Sequence, residues 1–492
     1  MLFNSYIFLL AFLPLCLLGY FVLNKLGQKR LSLLFLLGMS LWFYGYNLPA
    51  YLLLILGSIV LNYGFYRLSR CMKEGKARRA AMILAVGANL AILFYFKYYD
   101  FFAETVNGLF AADWVLKNIM LPLGISFFTF QQVSFVVDAF RGEVPDYDFI
   151  SYACFVTFFP QLIAGPIVTH DELVPQLMSD DNKRFDWENM SRGIYIFTMG
   201  MAKKVLLADN LGRAVSMGYG IIGAGNWSMM DSGSCMIVML AYTLQMYFDF
   251  SGYSDMAIGI GRMFNIDIPR NFDSPYKAVT IVEHWKRWHL TLTRFLTKYV
   301  YFPLGGSRRG EGRTYLNIMA VYLISGLWHG AGWTYIFWGG LHGAFNVLTR
   351  WGKRVFDRIP KAVNWLITFA FLNLGFIVFR AESLTQAFAI IGRIFEFDFS
   401  GFNVAIASCF QLAEVQLLLS LIPGIGQLVY WPPFMMILFL LLAMFIVLVP
   451  RNAYEKMQNM KPKAGTMVFT AVLLVWCVFS FGSVSTFLYF NF

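Results

Sequence analysis

The chain is broken into apolar runs of about 20 residues, the length an α-helix needs to cross a bilayer. Short loops rich in Lys and Arg separate them, as in the cytoplasmic loops of membrane proteins. Only 14% of residues are charged, against about 25% in soluble globular chains. A transmembrane barrel would require alternating segments of about ten residues, and the sequence has none. The pattern therefore predicts an all-α polytopic membrane protein. The net charge of +11 lies in the short loops and reads as positive-inside charge. Basic grooves with interleaved aromatics, the mark of nucleic-acid binding, are not seen.

Hydropathy and punctuation give an expected path. Residues 4–24 form a first span, followed but not preceded by basic residues (Lys25, Lys29, Arg30). That order places the N-terminus outside and argues against a cleavable signal peptide. Residues 31–46 and 49–68 make a hairpin, and 67–79 a basic cytoplasmic segment. Residues 80–97 return outward, 98–114 form an aromatic and acidic loop, and 118–139 cross back. The run 149–168 is interrupted by Pro160, Gly165 and Pro166, so it is expected as a broken or re-entrant element lining a cavity.

Residues 169–188 are polar, and 191–218 carry Lys203 and Lys204 in mid-run, which suggests a helix lying partly in the interface. A long helix covers 230–264. Spans follow at 363–380, 432–449 and 466–487, with a surface helix at 382–399 and a span or re-entrant segment at 403–428 around Pro423. The expectation is one membrane domain, 1–492, with about ten to twelve spans, a motif-bearing core at 118–350 and C-terminal spans over 363–492.

Four of the five histidines fall between 281 and 345. Over 283–299 a helical period puts Trp285, Trp288, His289, Leu292, Phe295, Leu296 and Tyr299 on one face. Arg287, Thr291, Arg294 and Lys298 fall on another, so one amphipathic interfacial helix is expected. His284 lies about 140° round from His289 and is not expected to pair with it. His329 closes the apolar run 315–328, with Ser325 one turn earlier and Gly330, Ala331 and Gly332 after it. A histidine at a helix end beside small residues suits a general base. It equally suits a helix-end imidazole bonded to a carbonyl. His170 and His342 read as structural.

Asp249 and Asp255, inside the long helix, could carry ions or protons, but read rather as cap and loop anchors around Ser251-Gly252 or as partners of Arg262. The six cysteines are scattered, without paired spacing. No HExxH is present, so no metal is expected, and GxSxG and P-loop motifs are absent.

The strings YFDFSGYSDMAIGIG (247–261), NFDSPY (271–276), WKRWHLTL (285–292), LGGSR (304–308) and GLWHGAGWTYIFWGGLHG (326–343) occur in order. Together with LPLGISFFTFQQVSFVVD (121–138) and FFPQLIAGPI (158–167), they resemble the membrane-bound O-acyltransferases, in the bacterial branch of alginate O-acetylase-like proteins. The resemblance runs from residue 1 to about 350. It implies a ring of spans around a central funnel, with His329 as catalytic histidine and His289 as second histidine. It further implies acetyl-CoA as donor and a bacterial inner-membrane location. A separate extracytoplasmic acetyltransferase and polysaccharide-synthesis machinery would be the partners, alongside membrane lipid. Acetyl groups would reach alginate, cellulose, peptidoglycan or another envelope glycan. Trp285, Arg287, Trp288, Arg294 and Trp328 become candidate donor-binding residues, with Lys298, Arg308 and Arg309 adding positive charge. A small-solute transporter and a non-catalytic scaffold for an exported transferase are the competing readings.

Overall fold

The computed structural model describes residues 1–492 apart from 400, 402, 423, 425–427, 462, 482–486 and 489–492. Every regular element among the described residues is helical. A π-helical turn at Phe8–Phe12 leads into α1 (Leu13–Lys25), followed by α2 (Lys29–Gly45) and α3 (Ala50–Cys71). α4 (Lys76–Leu93) continues through a π-turn at Phe94–Tyr98 into α5 (Tyr99–Phe110). Next come α6 (Ile125–Arg141), α7 (Phe149–Thr157), α8 (Phe159–Leu162) and α9 (His170–Met178). α10 (Trp187–Ala202) and α11 (Asp209–Gly223) flank a π-turn at Lys203–Ala208, and α12 (Ser232–Met263) is the longest helix.

The motif region then forms α13 (Ile281–Trp285), α14 (Leu290–Leu296), α15 (Glu311–His329) and α16 (Trp333–Trp351). The remainder comprises α17 (Lys353–Phe356), α18 (Lys361–Arg380), α19 (Leu384–Phe395), α20 (Val404–Ser408), α21 (Ala413–Ser420), α22 (Pro432–Leu448), α23 (Ala453–Gln458) and α24 (Ala464–Phe479).

The starts of these helices follow from side chains that satisfy orphan N–H groups. The Asp148, Asp186 and Asp231 carboxylates accept from the amides of Ser151, Asn189 and Ser234, opening α7, α10 and α12. Thr169 and Glu172 close a capping box on α9. α10 and α12 cross at backbone contact: a Cβ on Gly193 would lie 2.7 Å from the Gly259 carbonyl oxygen. Small residues let membrane helices approach this closely. One contiguous buried apolar cluster runs from Met1 to Phe487.

By length and composition, four stretches can cross a membrane: Phe8–Lys25, Ala50–Cys71, Lys76–Phe110 and Lys361–Arg380. Shorter apolar helices lie at Leu384–Phe395, Pro432–Leu448 and Ala464–Phe479. The helices that carry the later motifs fall outside this set because they are short, as α6, α13 and α14 are, or interrupted by polar side chains, as α12, α15 and α16 are. Part of the tail cannot be compared with expectation, since Pro423 and 482–486 lie outside the described residues.

Several expectations are corrected. The loop expected over 98–114 is mostly α5, continuous with α4. The mixed aromatic and acidic composition of that stretch suggests a loop. Instead Lys97 turns inward, and the Asp100 carboxylate accepts from the Lys117 amide at 2.7 Å. The crossing over 118–139 becomes helical only at Ile125. The break expected in 149–168 falls at Phe158, just before Pro160.

Lys203 and Lys204 turn against α12, largely shielded from solvent, rather than outward from the helix. Lys203 pairs with Asp255 at 2.6 Å, and Lys204 with Asp249 at 2.6 Å and Asp209 at 2.8 Å. Asp249 and Asp255 are therefore lysine partners, while Arg262 pairs with Asp267.

Candidate active site

The helix expected over 283–299 is two helices set apart by a turn at His289. His289 has φ +46°, a left-handed conformation that costs an L-residue roughly 1–2 kcal/mol. The NFDSPY segment imposes it. The Leu290 amide donates to the Asn271 carbonyl at 3.0 Å, and the Thr291 hydroxyl to the Asn271 side chain at 2.6 Å. The Asp273 amide donates to the Arg287 carbonyl at 2.9 Å. From the broken element, the Ile167 amide donates to the Thr291 hydroxyl at 2.9 Å. Two outside segments, one of them more than 100 residues away in sequence, thus clamp one turn, and these external bonds outweigh the helical periodicity of the segment.

The break sends the aromatic residues of the segment in different directions. Trp285 packs on Trp338 and donates to His342 Nδ1 at 3.3 Å. Trp288 packs against Tyr247, Phe272 and Phe376. The His289 ring meets Phe250 edge-on, with centroids 4.8 Å apart.

His329 arrives from the other side, at the end of α15. Gly330 takes extended geometry and stops that helix. α15 and α16 cross closely behind it, where a Cβ on Gly339 would sit 2.4 Å from the Tyr322 carbonyl oxygen. The His329 ring is enclosed by Trp328, Trp338 and Phe379, with centroids at 5.0, 5.3 and 5.5 Å. Both histidines are buried, and their ring centroids stand 6.4 Å apart. Trp328 touches both and stacks on Phe130.

Lys97, which belongs to none of the motifs, also reaches this site. Its ammonium donates to the Trp328 carbonyl at 2.6 Å, the Ser126 hydroxyl at 3.1 Å and the His329 carbonyl at 3.3 Å. Its three N–H groups are all engaged. Positive charge at the last carbonyls of a helix is favourable, so Lys97 fixes the end of α15 that presents His329. Trp328 Nε1 donates to the Ser126 carbonyl at 3.3 Å, completing the clamp. A cavity of about 40 Å³ is lined by Lys97, Gly124, Ser126, Ile163, Trp328 and His329, among others. The only sequence signal for Lys97 was a single lysine at the end of an apolar run.

Three of the five basic candidates are engaged in ion pairs. Arg287 pairs with Glu283 at 2.8 Å, Arg294 with Glu172, and Lys298 with Asp138 at 3.0 Å. Arg308 and Arg309 are exposed and carry no ion pair among the described residues. His284 Nδ1 lies 3.2 Å from the Pro275 carbonyl, holding the NFDSPY loop against α13. His170 stands 3.7 Å from Asp138, which also accepts from Tyr299. Burial holds His170 below the ordinary imidazole value, opposed by Asp171 and Asp138. Among the described residues no group of three or more His, Cys, Asp or Glu could hold a metal ion.

The family model for the membrane-bound O-acyltransferases matches residues 125–385. The chain belongs to that family. The match spans the turn at His289 with its Asn271 and Ile167 contacts, both histidines and the α15–α16 crossing. The chain is 41% identical to the peptidoglycan O-acetyltransferase of Helicobacter pylori, over 80% of this chain and 79% of that one. It is 37% identical to the probable alginate O-acetylase AlgI of Pseudomonas aeruginosa, over 81% of this chain and 75% of that one. It is 25% identical to the teichoic acid D-alanyltransferase of Bacillus subtilis, over 54% of this chain and 70% of that one. The chain is accordingly a membrane-bound O-acyltransferase.

Proposed function

We propose that this acyltransferase takes acetyl from cytoplasmic acetyl-CoA and passes it within the bacterial inner membrane to a hydroxyl on the far side, for O-acetylation of an envelope glycan. The observation that carries the reading is the convergence of His289 and His329, forty residues apart in sequence, around Trp328. His329 acts as general base. It removes the acceptor hydroxyl proton as the oxygen attacks the thioester carbonyl, the C–S bond breaks, and the thiolate leaves with a proton. His289 holds the reacting group from the opposite side. A positioned base of this kind is worth about 10²–10⁴-fold.

Trp285, Trp288 and Trp328 keep water from the thioester. Arg287 and Arg294, partly exposed at their ion pairs, offer cationic contacts to the phosphates of the donor. The polar faces of α6, α12 and α15 turn inward, so these helices also cross, giving a ring of about ten to twelve spans in one domain. The N-terminus lies outside and the basic loops are cytoplasmic. A separate extracytoplasmic transferase completes delivery to the polymer. Identity to a peptidoglycan enzyme at 41%, against 37% to an alginate enzyme, makes peptidoglycan the acceptor to test first.

The test uses membrane vesicles supplied with radiolabelled acetyl-CoA. Wild type is expected to move label to a glycan fraction, and His329→Ala to lose at least about 100-fold of that rate at equal membrane abundance. Transfer at the wild-type rate by His329→Ala would sink the assignment.

A further inference from the structure

Away from the histidines, a cleft of about 680 Å³ opens beside the C-terminal half of α1. That volume is within the range of small-molecule sites, roughly 300–1,000 Å³. Its two ends differ in chemistry. One wall is the outer face of α1, built from Leu17, Leu18, Phe21 and Val22, with Leu18 65% exposed. The other end is basic, with Lys25, Lys29, Lys183 and Arg184 around a single acid, Asp180.

The acid is already engaged. Asp180 pairs with Lys29 at 2.6 Å and lies 3.5 Å from Lys183. Lys25 and Arg184 are exposed and carry no ion pair among the described residues. Of the nearby acids outside the cleft, Asp186 is spent on capping α10, and Asp181 is exposed. The cleft mouth therefore keeps an excess of three positive charges, four basic groups against one acid.

Aromatic side chains mark the level at which the two chemistries meet. Phe185 meets Phe21 edge-on at 5.3 Å and Trp187 at 4.7 Å. Trp187 is 77% exposed. Exposed aromatics at the end of an apolar helix, next to basic residues, are the usual furniture of the headgroup level of a bilayer.

We propose that this cleft seats an anionic phospholipid, with an acyl chain along Leu17, Phe21 and Val22 and the headgroup phosphate between Lys25, Lys29 and Arg184. An apolar wall requires a hydrocarbon tail, which a free phosphate or the phosphates of a thioester donor lack. The net positive mouth requires an anionic headgroup, which a zwitterionic lipid supplies poorly. Each basic side chain near an anionic headgroup adds a favourable increment. The seat also ties α1 to the segment joining α9 and α10, because the lipid touches both.

The test is native mass spectrometry of the purified full chain, mixed with phosphatidylglycerol, phosphatidylcholine or inorganic phosphate. The expected result is retention of phosphatidylglycerol at least about tenfold over phosphatidylcholine, with no competition from inorganic phosphate. That preference should vanish in a Lys25→Gln, Lys29→Gln, Arg184→Gln variant. Leu18→Trp, which fills the apolar end and leaves every charge in place, should lower retention of both lipids. Equal retention of the two lipids, full competition by phosphate, or unchanged retention in both variants would overturn the proposal. None of these outcomes depends on the role of His329.

Discussion

α12 touches two kinds of buried polar group, and they differ in how they are satisfied. Toward α10 and α11 it presents Asp249 and Asp255, each held by a lysine at 2.6 Å. Toward α13 and α14 it presents Phe250, and the imidazole there is seated among aromatic rings. In the first region opposite charges meet directly, and the glycine-lined crossing of α10 and α12 is locked by them. In the second, two imidazoles stand with centroids 6.4 Å apart beside a cavity. Ionisable groups at membrane depth are costly and tend to be functional. Close-paired charges here build the architecture, whereas the two histidines sit among aromatic rings beside a cavity, as the proposed chemistry requires.

The largest expected effect tests the first half of that contrast. Asp255→Ala leaves Lys203 buried without its carboxylate and should cost about 3–5 kcal/mol, read as a lowered unfolding temperature in detergent. Pairing Lys203→Met with Asp255→Leu should restore most of the loss. If the double variant keeps its stability but loses acyl transfer, the cluster is more than architecture.

Next in size is Gly339→Ala, which pushes α16 off α15 behind His329 and should cost about 1–3 kcal/mol. Lys97→Met should lower kcat about tenfold, a change of about 1.4 kcal/mol, with KM for the donor unchanged. Lys97→Arg should recover part of the rate, since it keeps the cation at the end of α15. An unchanged kcat in Lys97→Met would remove Lys97 from the site. The smallest effect belongs to Arg287→Ala, whose partly exposed pair with Glu283 should be worth less than about 1 kcal/mol of stability. A raised KM for the donor in that variant would mark a phosphate contact.

Much of this organisation was legible in the sequence. The apolar runs, the break near Pro160 and the two histidine motifs all stood out, because each rests on local composition or spacing. What was not legible depends on contacts between distant segments. The period over 283–299 is helical throughout, and nothing within it announces the turn at His289. The turn is imposed by Asn271 and by Thr291, whose hydroxyl receives the Ile167 amide. Lys97 looked like the end of a span because its carbonyl partners lie more than 200 residues away. Lys203 and Lys204 suggested an interface because their aspartates come from another helix. Charge in a membrane sequence signals either water or a partner, and only the fold decides which.

The central claim is that His289 and His329 serve one reaction space. A double-mutant cycle on acyl-transfer rate, with His289→Ala, His329→Ala and the combined variant at matched membrane abundance, tests it most directly. Groups that act as a unit are non-additive. The double variant is expected to be about as slow as His329→Ala alone. Losses that multiply independently, or a wild-type rate in His329→Ala, would contradict it.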